Sequence, residues 1–212
     1  MSEQMGIFDV IYNTRAMRRI KPDPVPEELL VKLIDAANQA ASGSNQQNAR
    51  YIVVRDRAVK EKLAEQNMRV FKLYTAPGGP RATSLPHQSD EKRERMVKAV
   101  EWQAEHFAEI PAIIVACLQV TLPLRDSFSA GAGSGGSIWP GVQNLLLAAR
   151  ALELAATPTT FAIADRDAAR AILNLPEDIQ PFCVIPVGYP MGKFGPVVRK
   201  PVAEIMRLDR WS

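Results

Sequence analysis

The sequence predicts a single domain in which α-helices and β-strands are mixed. The chain has 212 residues, of which 47% are hydrophobic, and a chain of this size and composition can bury a full core. Several segments repeat apolar residues at helical spacing, whereas others are short, β-rich apolar runs. No stretch resembles an interdomain linker, so we expect residues 1–212 to form one unit.

Composition argues against several classes of partner. The 26 basic and 23 acidic residues give a net charge of +3 without a basic block, which argues against a nucleic-acid partner. The longest apolar runs, such as 113–118, are too short for a membrane span, and the N-terminus lacks the apolar core of a signal peptide. We expect a cytoplasmic protein with no membrane partner. Cys117 and Cys183 lie in apolar, strand-like runs and are expected to be reduced core thiols.

The N-terminal part predicts a short helix followed by a basic segment. Apolar residues at helical spacing lie between Gly6 and Asn13, and residues 14–21 then contain three arginines and a lysine: Arg15, Arg18, Arg19 and Lys21. If this segment is helical, Arg15 and Arg19 repel each other by about 0.2–0.5 kcal/mol unless an anion lies between them. Guanidinium groups match phosphate oxygens in pairs. The segment is therefore either an anion site or a solvated basic turn.

Residues 29–41 predict the first long helix, and a polar corner follows it. One face is apolar (Leu29, Leu30, Leu33, Ile34, Ala37, Ala40 and Ala41), and the proline and two acids at positions 26–28 suit a first helical turn. After Ala41 the side chains are short and polar as far as Asn48. Gly43 is expected to adopt the left-handed conformation that closes a helix. Residues 51–54 then predict a buried strand, and the corner between the two elements is a candidate ligand site.

The middle of the chain predicts two helices, a long loop and a strand. Residues 58–71 and 91–109 carry apolar residues at helical spacing, and residues 110–120 form a β-rich apolar run. The intervening segment from Thr75 to Asp90 contains several prolines and glycines, which no regular element tolerates. A loop of this length is either a lid or binding segment, or disordered.

Residues 131–136 satisfy the G-x-G-x-x-G pattern of dinucleotide-binding proteins. That pattern binds pyrophosphate only where its first glycine directly follows a strand. Here residues 121–130 separate the glycines from the preceding strand, so we interpret them as a flexible active-site loop. Residues 137–151 predict a helix that is apolar on more than one face and therefore central.

The C-terminal third predicts a turn, a helix, a strand and a tail. Residues 157–160 read Thr-Pro-Thr-Thr, residues 165–175 predict a short helix capped by Asp165, and residues 181–188 predict a strand. The tail, residues 189–212, is rich in proline and glycine and carries Arg199. It cannot form a core of its own, so it must lie over the domain or over a partner.

The inventory of reactive side chains argues against hydrolytic and metal chemistry. The chain has two histidines, His87 and His106, and neither a G-x-S-x-G nor an H-E-x-x-H motif. What remains are arginines near both ends, the Ser/Asn/Gln corner and the Thr-Pro turn. These groups donate hydrogen bonds without titrating near neutrality, so they suit a protein that holds a cofactor and lets the cofactor react.

Five motifs in order resemble the nitroreductase family of FMN-dependent oxidoreductases. They are Thr14-Arg15-Ala16-Met17-Arg18-Arg19, the helix and corner from Pro24 to Asn45, the helix segment from Val142 to Ala149, Val187-Gly188-Tyr189-Pro190, and Arg199-Lys200-Pro201. The resemblance implies an α+β fold: a three-layer α-β-α sandwich whose central, mainly antiparallel sheet is flanked by helices. It also implies a homodimer with tightly bound FMN at the subunit interface.

The resemblance further implies a two-stage reaction and a set of FMN-binding residues. NAD(P)H would reduce the flavin, and an acceptor such as a nitroaromatic or quinone would then oxidise it. Arg15, Arg19 and Arg199 would bind the phosphate and ribityl chain, and Ala16 and Met17 would contribute mainly through their backbone. The remaining contacts would come from Ser42, Gly43, Asn45 and Gln47 of the other subunit, and from Pro158, Thr159 and Thr160. No side chain would be catalytic, since a backbone N–H near Thr160 or Phe161 would face flavin N5.

Several positions depart from the family pattern. Ala16 and Met17 stand where relatives often have a polar residue, Asn48-Ala49 replaces a common Pro-Trp, and Glu153 replaces a usual glycine. The segments 75–90 and 122–136 match no family pattern, and they are the expected walls of the acceptor pocket. Two alternatives to the nitroreductase reaction therefore stay open. One keeps the flavin but dehalogenates a substrate or fragments the flavin, and the other is a non-enzymatic module that binds an acidic partner.

Overall fold

A computed structural model describes residues 5–79, 89–120 and 135–211. In these ranges, helices surround an antiparallel sheet of four strands. The helices are α1 (Ile7–Asn13), α2 (Glu27–Asn38), α3 (Arg57–Thr75), α4 (Asp90–Glu105), α5 (Trp139–Ala151), α6 (Arg166–Leu173) and α7 (Val202–Ile205). The strands are β1 (Ala49–Val54), β2 (Ala112–Gln119), β3 (Ala155–Ala156) and β4 (Ile179–Gly188).

The strand β2 organises the sheet, whose order is β1-β2-β4-β3. It pairs antiparallel with β1 on one side and with β4 on the other. Successive side chains of a strand point to opposite faces. Ile114 and Ala116 accordingly belong to one buried cluster, whereas Ile113 and Val115 belong to a second cluster on the other face. The sheet is therefore the middle layer, as the predicted sandwich requires.

Different helices cover the two faces of the sheet. The first cluster contains side chains of α2 and α5, among them Leu33 and Leu145. The second contains Leu63 from α3, Ala169 from α6 and Phe107 from a 3₁₀ turn at Phe107–Glu109. The α+β class and the antiparallel sheet flanked by helices agree with the sequence prediction.

The helix ends follow local capping chemistry. Asp165 caps α6 as predicted, because its Oδ1 accepts a hydrogen bond from the Ala168 N–H at 3.0 Å. Asp56 caps α3 in the same way through the Val59 N–H at 2.9 Å. The helix α3 extends to Thr75 and α4 starts at Asp90, so the predicted loop between them begins at residue 76. Most of it, residues 80–88, lies outside the described ranges, as do residues 121–134, which include most of the glycine-rich segment.

The basic segment at residues 14–21 is not helical. Ile20 instead forms a bridge with Pro190, and the Lys21 N–H donates to the Tyr189 carbonyl at 2.8 Å. The expectation that Arg15 and Arg19 are neighbours on one helix is therefore wrong. In this extended segment Met17 and Ile20 are buried, while Arg15 and Arg19 are exposed.

The polar corner after α2 also differs from its prediction. Gly43 lies in a 3₁₀ turn, Gly43–Asn45, and the residues with left-handed backbone are Ser44 (φ 50°), Asn45 (φ 52°) and Gln47 (φ 50°). Two hydrogen bonds hold this conformation. The Gln47 N–H donates to Ser42 Oγ, and the Gly43 N–H donates to Ser137 Oγ, each at 3.0 Å. The corner therefore closes by side-chain acceptors rather than by a glycine.

Both cysteines are free and buried, as the sequence predicts. Burial raises the pKa of Cys117 to about 12. The pKa of Cys183 is also raised to about 12, mainly by burial and to a smaller extent by electrostatic repulsion from Cys117. In the described part of the chain, no helix is both long and apolar enough to cross a bilayer. The same ranges contain no group of three or more His, Cys, Asp or Glu side chains that could hold a metal ion.

The buried thiols predict low reactivity in the native protein. The thiolate is the reactive form of cysteine, and at pH 8 a thiol with a pKa of about 12 is almost wholly protonated. We expect iodoacetamide to leave the native protein unlabelled at pH 8 and to label both cysteines in guanidinium chloride, as measured by mass spectrometry. Rapid labelling of the native protein would contradict the burial of these side chains.

Candidate functional site

Two cavities adjoin at Pro158, which lines both of them. The first, about 400 Å³ in volume, contains Arg15 and Arg199 and is called the arginine cavity below. The second, about 360 Å³, contains Tyr74, Trp139 and Phe161 and is called the aromatic cavity. Together they form a candidate binding site for a ligand with two chemically different parts.

The arginine cavity brings together the two ends of the chain. Its wall includes residues 11, 12 and 14–16 from the end of α1 and the segment after it, Gln143 and Leu146 from α5, and Val197 and Arg199 from the tail. The tail is held there because the Val197 N–H donates to the Tyr12 carbonyl at 2.9 Å. The Arg150 guanidinium also stacks over the Phe194 ring, 4.3 Å from its centroid. The predicted pairing of Arg15 with Arg199 therefore arises from contacts far apart in sequence.

The charges of the arginine cavity suit an anion. Arg15 donates through Nε to Met17 Sδ at 3.4 Å, and Arg199 donates to the carbonyl of its neighbour Val198 at 2.9 Å. Among the described residues, neither guanidinium forms an ion pair with an acid. Guanidinium groups bind carboxylate and phosphate oxygens through paired, charge-assisted hydrogen bonds. Two unpaired guanidinium groups on one cavity wall can hold such a group.

The aromatic cavity has mostly apolar walls that also carry several polar side chains. Helices α3 and α4 supply Asn67, Tyr74, Met96, Val100 and Gln103, the turn at residues 158–161 supplies Pro158, Thr159, Thr160 and Phe161, and α5 supplies Trp139. Met96 and Val100 lie in the segment 91–109, which was predicted only as a helix with apolar residues at helical spacing. Their position here shows that α4 contributes a wall of the site. A flat, largely apolar ring with polar edges would match this lining.

Arg18 supplies the positive charge of the aromatic cavity. Desolvation by burial lowers the pKa of Arg18, and the nearby Tyr74 opposes that effect. Among the described residues no carboxylate pairs with Arg18. A partly buried cation without a counter-ion is unfavourable, so this group favours an electron-rich ligand. The sequence analysis placed Arg18 in the basic segment but not among the binding residues.

The turn at residues 157–161 is fixed from two sides. The Thr157 hydroxyl donates to the Met17 carbonyl at 3.2 Å, and Thr159 exchanges two backbone hydrogen bonds with Val184 of β4, each 2.9 Å. The Phe161 N–H donates to Thr159 Oγ1 over a long 3.4 Å. The Thr160 N–H has no hydrogen-bond partner among the described residues. Thr160 thus offers a backbone donor beside the cavity, and the expectation that such a donor faces flavin N5 stays a prediction.

The structure places the predicted site residues in three groups. The arginine cavity contains Arg15, Ala16, Pro158 and Arg199, and the aromatic cavity contains Pro158, Thr159 and Thr160. Met17 is buried in the core and offers only its carbonyl to the 157–161 turn, while Arg19 is exposed and lines neither cavity. Ser42, Gly43, Asn45 and Gln47 also line neither cavity of their own chain.

Comparison with known proteins places this chain in a family. The sequence model of the Nitroreductase family matches residues 11–189. A protein of Methanothermobacter thermautotrophicus, provisionally named NADH dehydrogenase/NAD(P)H nitroreductase, is 30% identical over 189 residues, which are 88% of this chain and 78% of that protein. The iodotyrosine deiodinase of Thermotoga neapolitana is 27% identical over 187 residues, covering 87% of this chain and 88% of that protein.

A solved structure supports the same fold. The crystal structure of oxidized iodotyrosine deiodinase bound to FMN and 3-iodo-L-tyrosine matches with a TM-score of 0.72 and 22% identity. The match covers 97% of this chain and all of that chain, 100%. At this identity the likeness concerns the fold, and it confirms the α+β sandwich expected from the sequence.

Proposed function

Because this chain belongs to the nitroreductase family, we propose that it is an FMN-dependent oxidoreductase. It takes hydride from NAD(P)H and passes the electrons to a small-molecule acceptor such as a nitroaromatic or quinone. The name of the relative from Methanothermobacter includes NADH dehydrogenase and NAD(P)H nitroreductase. The structure of the deiodinase with a similar fold was solved with bound FMN. The observation that carries the proposal is the meeting of the arginine and aromatic cavities at Pro158.

The residues of the two cavities fit FMN chemically. FMN joins a phosphate to a flat, mostly apolar ring with polar edges. The arginine cavity offers two guanidinium groups without acidic partners in the described ranges, which suits a phosphate. The aromatic cavity offers apolar walls, one cation and a free backbone donor, which suits the ring. Neither cavity has an acidic residue among its described lining residues, so nothing in those linings repels the phosphate.

Each group then has a physical task. Arg15 and Arg199 would bind the phosphate, and Ala16 would contribute through its backbone. Met17 would act indirectly, since its carbonyl holds the 157–161 turn, and Pro158 to Thr160 would lie against one face of the ring. When bound, the flavin supplies the hydride chemistry. The N–H of Thr160, or that of Phe161 if it releases Thr159 Oγ1, would donate to the ring at N5, and Arg18 would provide positive potential at its edge. Donors fixed before the reaction stabilise developing charge without reorganising.

The proposal includes a homodimer in which the corner of the partner subunit completes the site. Ser42, Gly43, Asn45 and Gln47 would reach the ring edge from the second copy, since they line neither cavity of their own chain. Large apolar side chains on α1 and the tail support such an interface. Phe8 is 68% exposed, Val198 75% and Trp211 84%, and a second subunit that covered these side chains would remove apolar surface from water.

A spectrum and a titration test the proposed function. Protein purified without added cofactor should absorb in the visible range as a flavoprotein, should be bleached anaerobically by NADH or NADPH, and should run as a dimer in sedimentation analysis. The comparison of the two nucleotides identifies the donor. A monomeric, colourless protein that cannot be reconstituted with FMN would overturn the proposal and favour the anion-binding alternative, whose affinity would fall steeply with salt.

A second reaction is supported by a specific comparison. The similarity to iodotyrosine deiodinases favours reductive dehalogenation of an aromatic substrate on the same flavin. An acceptor screen separates the two reactions, because only dehalogenation releases halide. Turnover of nitroaromatics and quinones without halide release from halophenols would support the nitroreductase reaction, and efficient halide release would support the alternative.

A further inference from the structure

Gln103 is a buried polar side chain without a complete set of partners. It lies near the end of α4, is 4% exposed, and is among the residues that line the aromatic cavity. Its Nε2 atom is buried and has no hydrogen-bond partner among the residues that the structure describes. A buried donor without an acceptor destabilises the fold, whereas an apolar side chain of similar shape would not. An apolar residue would therefore be more stable at this position unless a ligand accepts the hydrogen bond, so the unpaired donor points to a ligand.

The surroundings of Gln103 indicate the kind of ligand. Asn67, 3% exposed, and the partly buried Arg18 line the same cavity. No Asp or Glu is present among the described lining residues. The polar part of this lining is thus rich in N–H donors, and it matches a ligand edge that carries oxygen acceptors. In the structure Nε2 is the buried atom of this amide. Because the terminal torsion of glutamine is broad, a half-turn of the amide brings the nitrogen to the cavity side.

The flavin has such an edge, because its pyrimidine ring carries two carbonyl oxygens on either side of an N–H. Resting on the proposed function, we infer that Gln103 donates its amide N–H to one of these carbonyl oxygens and thereby raises the reduction potential of the bound flavin. An amide both donates and accepts, so it also tolerates the ring N–H beside the oxygen. This assigns a binding role to a residue of α4, an element that contributed none of the predicted site residues.

The effect on the potential follows from charge. A hydrogen bond to an oxygen becomes stronger as that oxygen gains negative charge, and reduction adds electron density to the ring carbonyls. Gln103 therefore binds the reduced cofactor more tightly than the oxidised one. The ratio of the two affinities sets the shift in potential. Arg18 acts in the same direction, so the contribution of Gln103 must be measured with Arg18 in place.

The test compares Gln103→Leu with wild type and with a matched control, Gln66→Leu. Gln66 has a buried amide oxygen that finds no partner within residues 5–79, 89–120 and 135–211, but it does not line either cavity. For each protein, the dissociation constant of oxidised FMN is measured by flavin fluorescence and the midpoint potential by equilibration with a reference dye at pH 8. The melting temperature of the protein stripped of flavin is measured alongside.

The expected results separate a ligand contact from a structural role. Gln103→Leu should weaken the binding of oxidised FMN by about fivefold. The loss of affinity for reduced FMN should be about ten times as large as that for oxidised FMN, which lowers a two-electron potential by about 30 mV. Gln103→Glu should lower it further, because a carboxylate cannot donate and repels the reduced ring. The stripped Gln103→Leu protein should melt no lower than wild type, since it loses an unpaired donor. Gln66→Leu should keep the wild-type affinity and potential.

Two outcomes would overturn the inference while leaving the proposed function intact. Wild-type affinity and potential in Gln103→Leu would show that the amide does not contact the flavin. An equal shift in Gln66→Leu would show a general packing effect. A wild-type protein that neither carries nor binds FMN would instead overturn the proposed function, and this inference with it.

Discussion

Replacing Arg15 and Arg199 together with methionine is expected to raise the dissociation constant for FMN by on the order of 100-fold or more. Each charged hydrogen-bond partner contributes roughly 1.5–3 kcal/mol, and the two act on one phosphate, so their effects need not add. Methionine keeps much of the length of arginine without its charge. Both side chains line the arginine cavity and have no acidic partner in the described ranges.

Riboflavin provides the internal control, because it lacks the phosphate. Its affinity should be almost the same in the double variant and in wild type, so the preference for FMN over riboflavin should disappear. The matched control is the double variant Arg95→Met with Arg210→Met. It also removes two positive charges, but from exposed positions outside both cavities. If FMN and riboflavin lost affinity equally, the arginine cavity would not be the phosphate site.

Adding a methyl group at Gly141 is expected to destabilise the fold. A Cβ atom there would lie 2.6 Å from Tyr51 Oη and 2.9 Å from the Ala37 carbonyl oxygen, where α5 packs against β1 and α2. Overpacking typically costs about 1–3 kcal/mol, and the higher helix propensity of alanine offsets at most about 1 kcal/mol. Gly141→Ala should therefore melt several degrees lower, and Gly141→Val should lose about 3 kcal/mol, both measured by thermal unfolding.

Two further variants make this stability test specific. Gly195→Ala is the control, because a Cβ atom at Gly195 would have no atom of another described residue within 4 Å beyond its two chain neighbours. This variant should melt like wild type. Tyr51→Phe removes the closest clashing atom, a buried hydroxyl with no hydrogen-bond partner in the described part of the chain. Burial raises the pKa of this hydroxyl to about 12. Tyr51→Phe should restore part of the stability of Gly141→Ala. Additive effects of the two changes would show that the hydroxyl is not the atom in contact.

Local patterns in the sequence were sufficient for most of the regular elements. Helical spacing predicted α2, α3, α4 and α5, and apolar runs predicted β2 and β4. These elements bury continuous faces against the sheet, so their periodicity is strong. The strand β3 was not predicted, because two residues, Ala155 and Ala156, are too few to show a period. The left-handed corner was assigned to Gly43 from residue type, but hydrogen bonds to Ser42 and Ser137 determine its conformation.

The site was harder to predict because it depends on contacts between distant segments. Arg15 and Arg199 were paired only through the family resemblance, and the contact that brings them together is a backbone hydrogen bond between Tyr12 and Val197. Arg18 and Gln103 were missed for a different reason. Helical spacing and charge show which side of an element is buried, but not that part of the buried side faces a cavity.

Ser44 and Gln47 hold a left-handed backbone although each carries a side chain. For residues other than glycine this conformation is disfavoured by roughly 1–2 kcal/mol each, and glycine would remove the penalty at either position. The chain therefore accepts a lower free energy of unfolding at two positions where it carries exposed polar side chains. A redesign aimed only at a higher melting point would choose glycine at these two positions and would thereby remove both polar side chains.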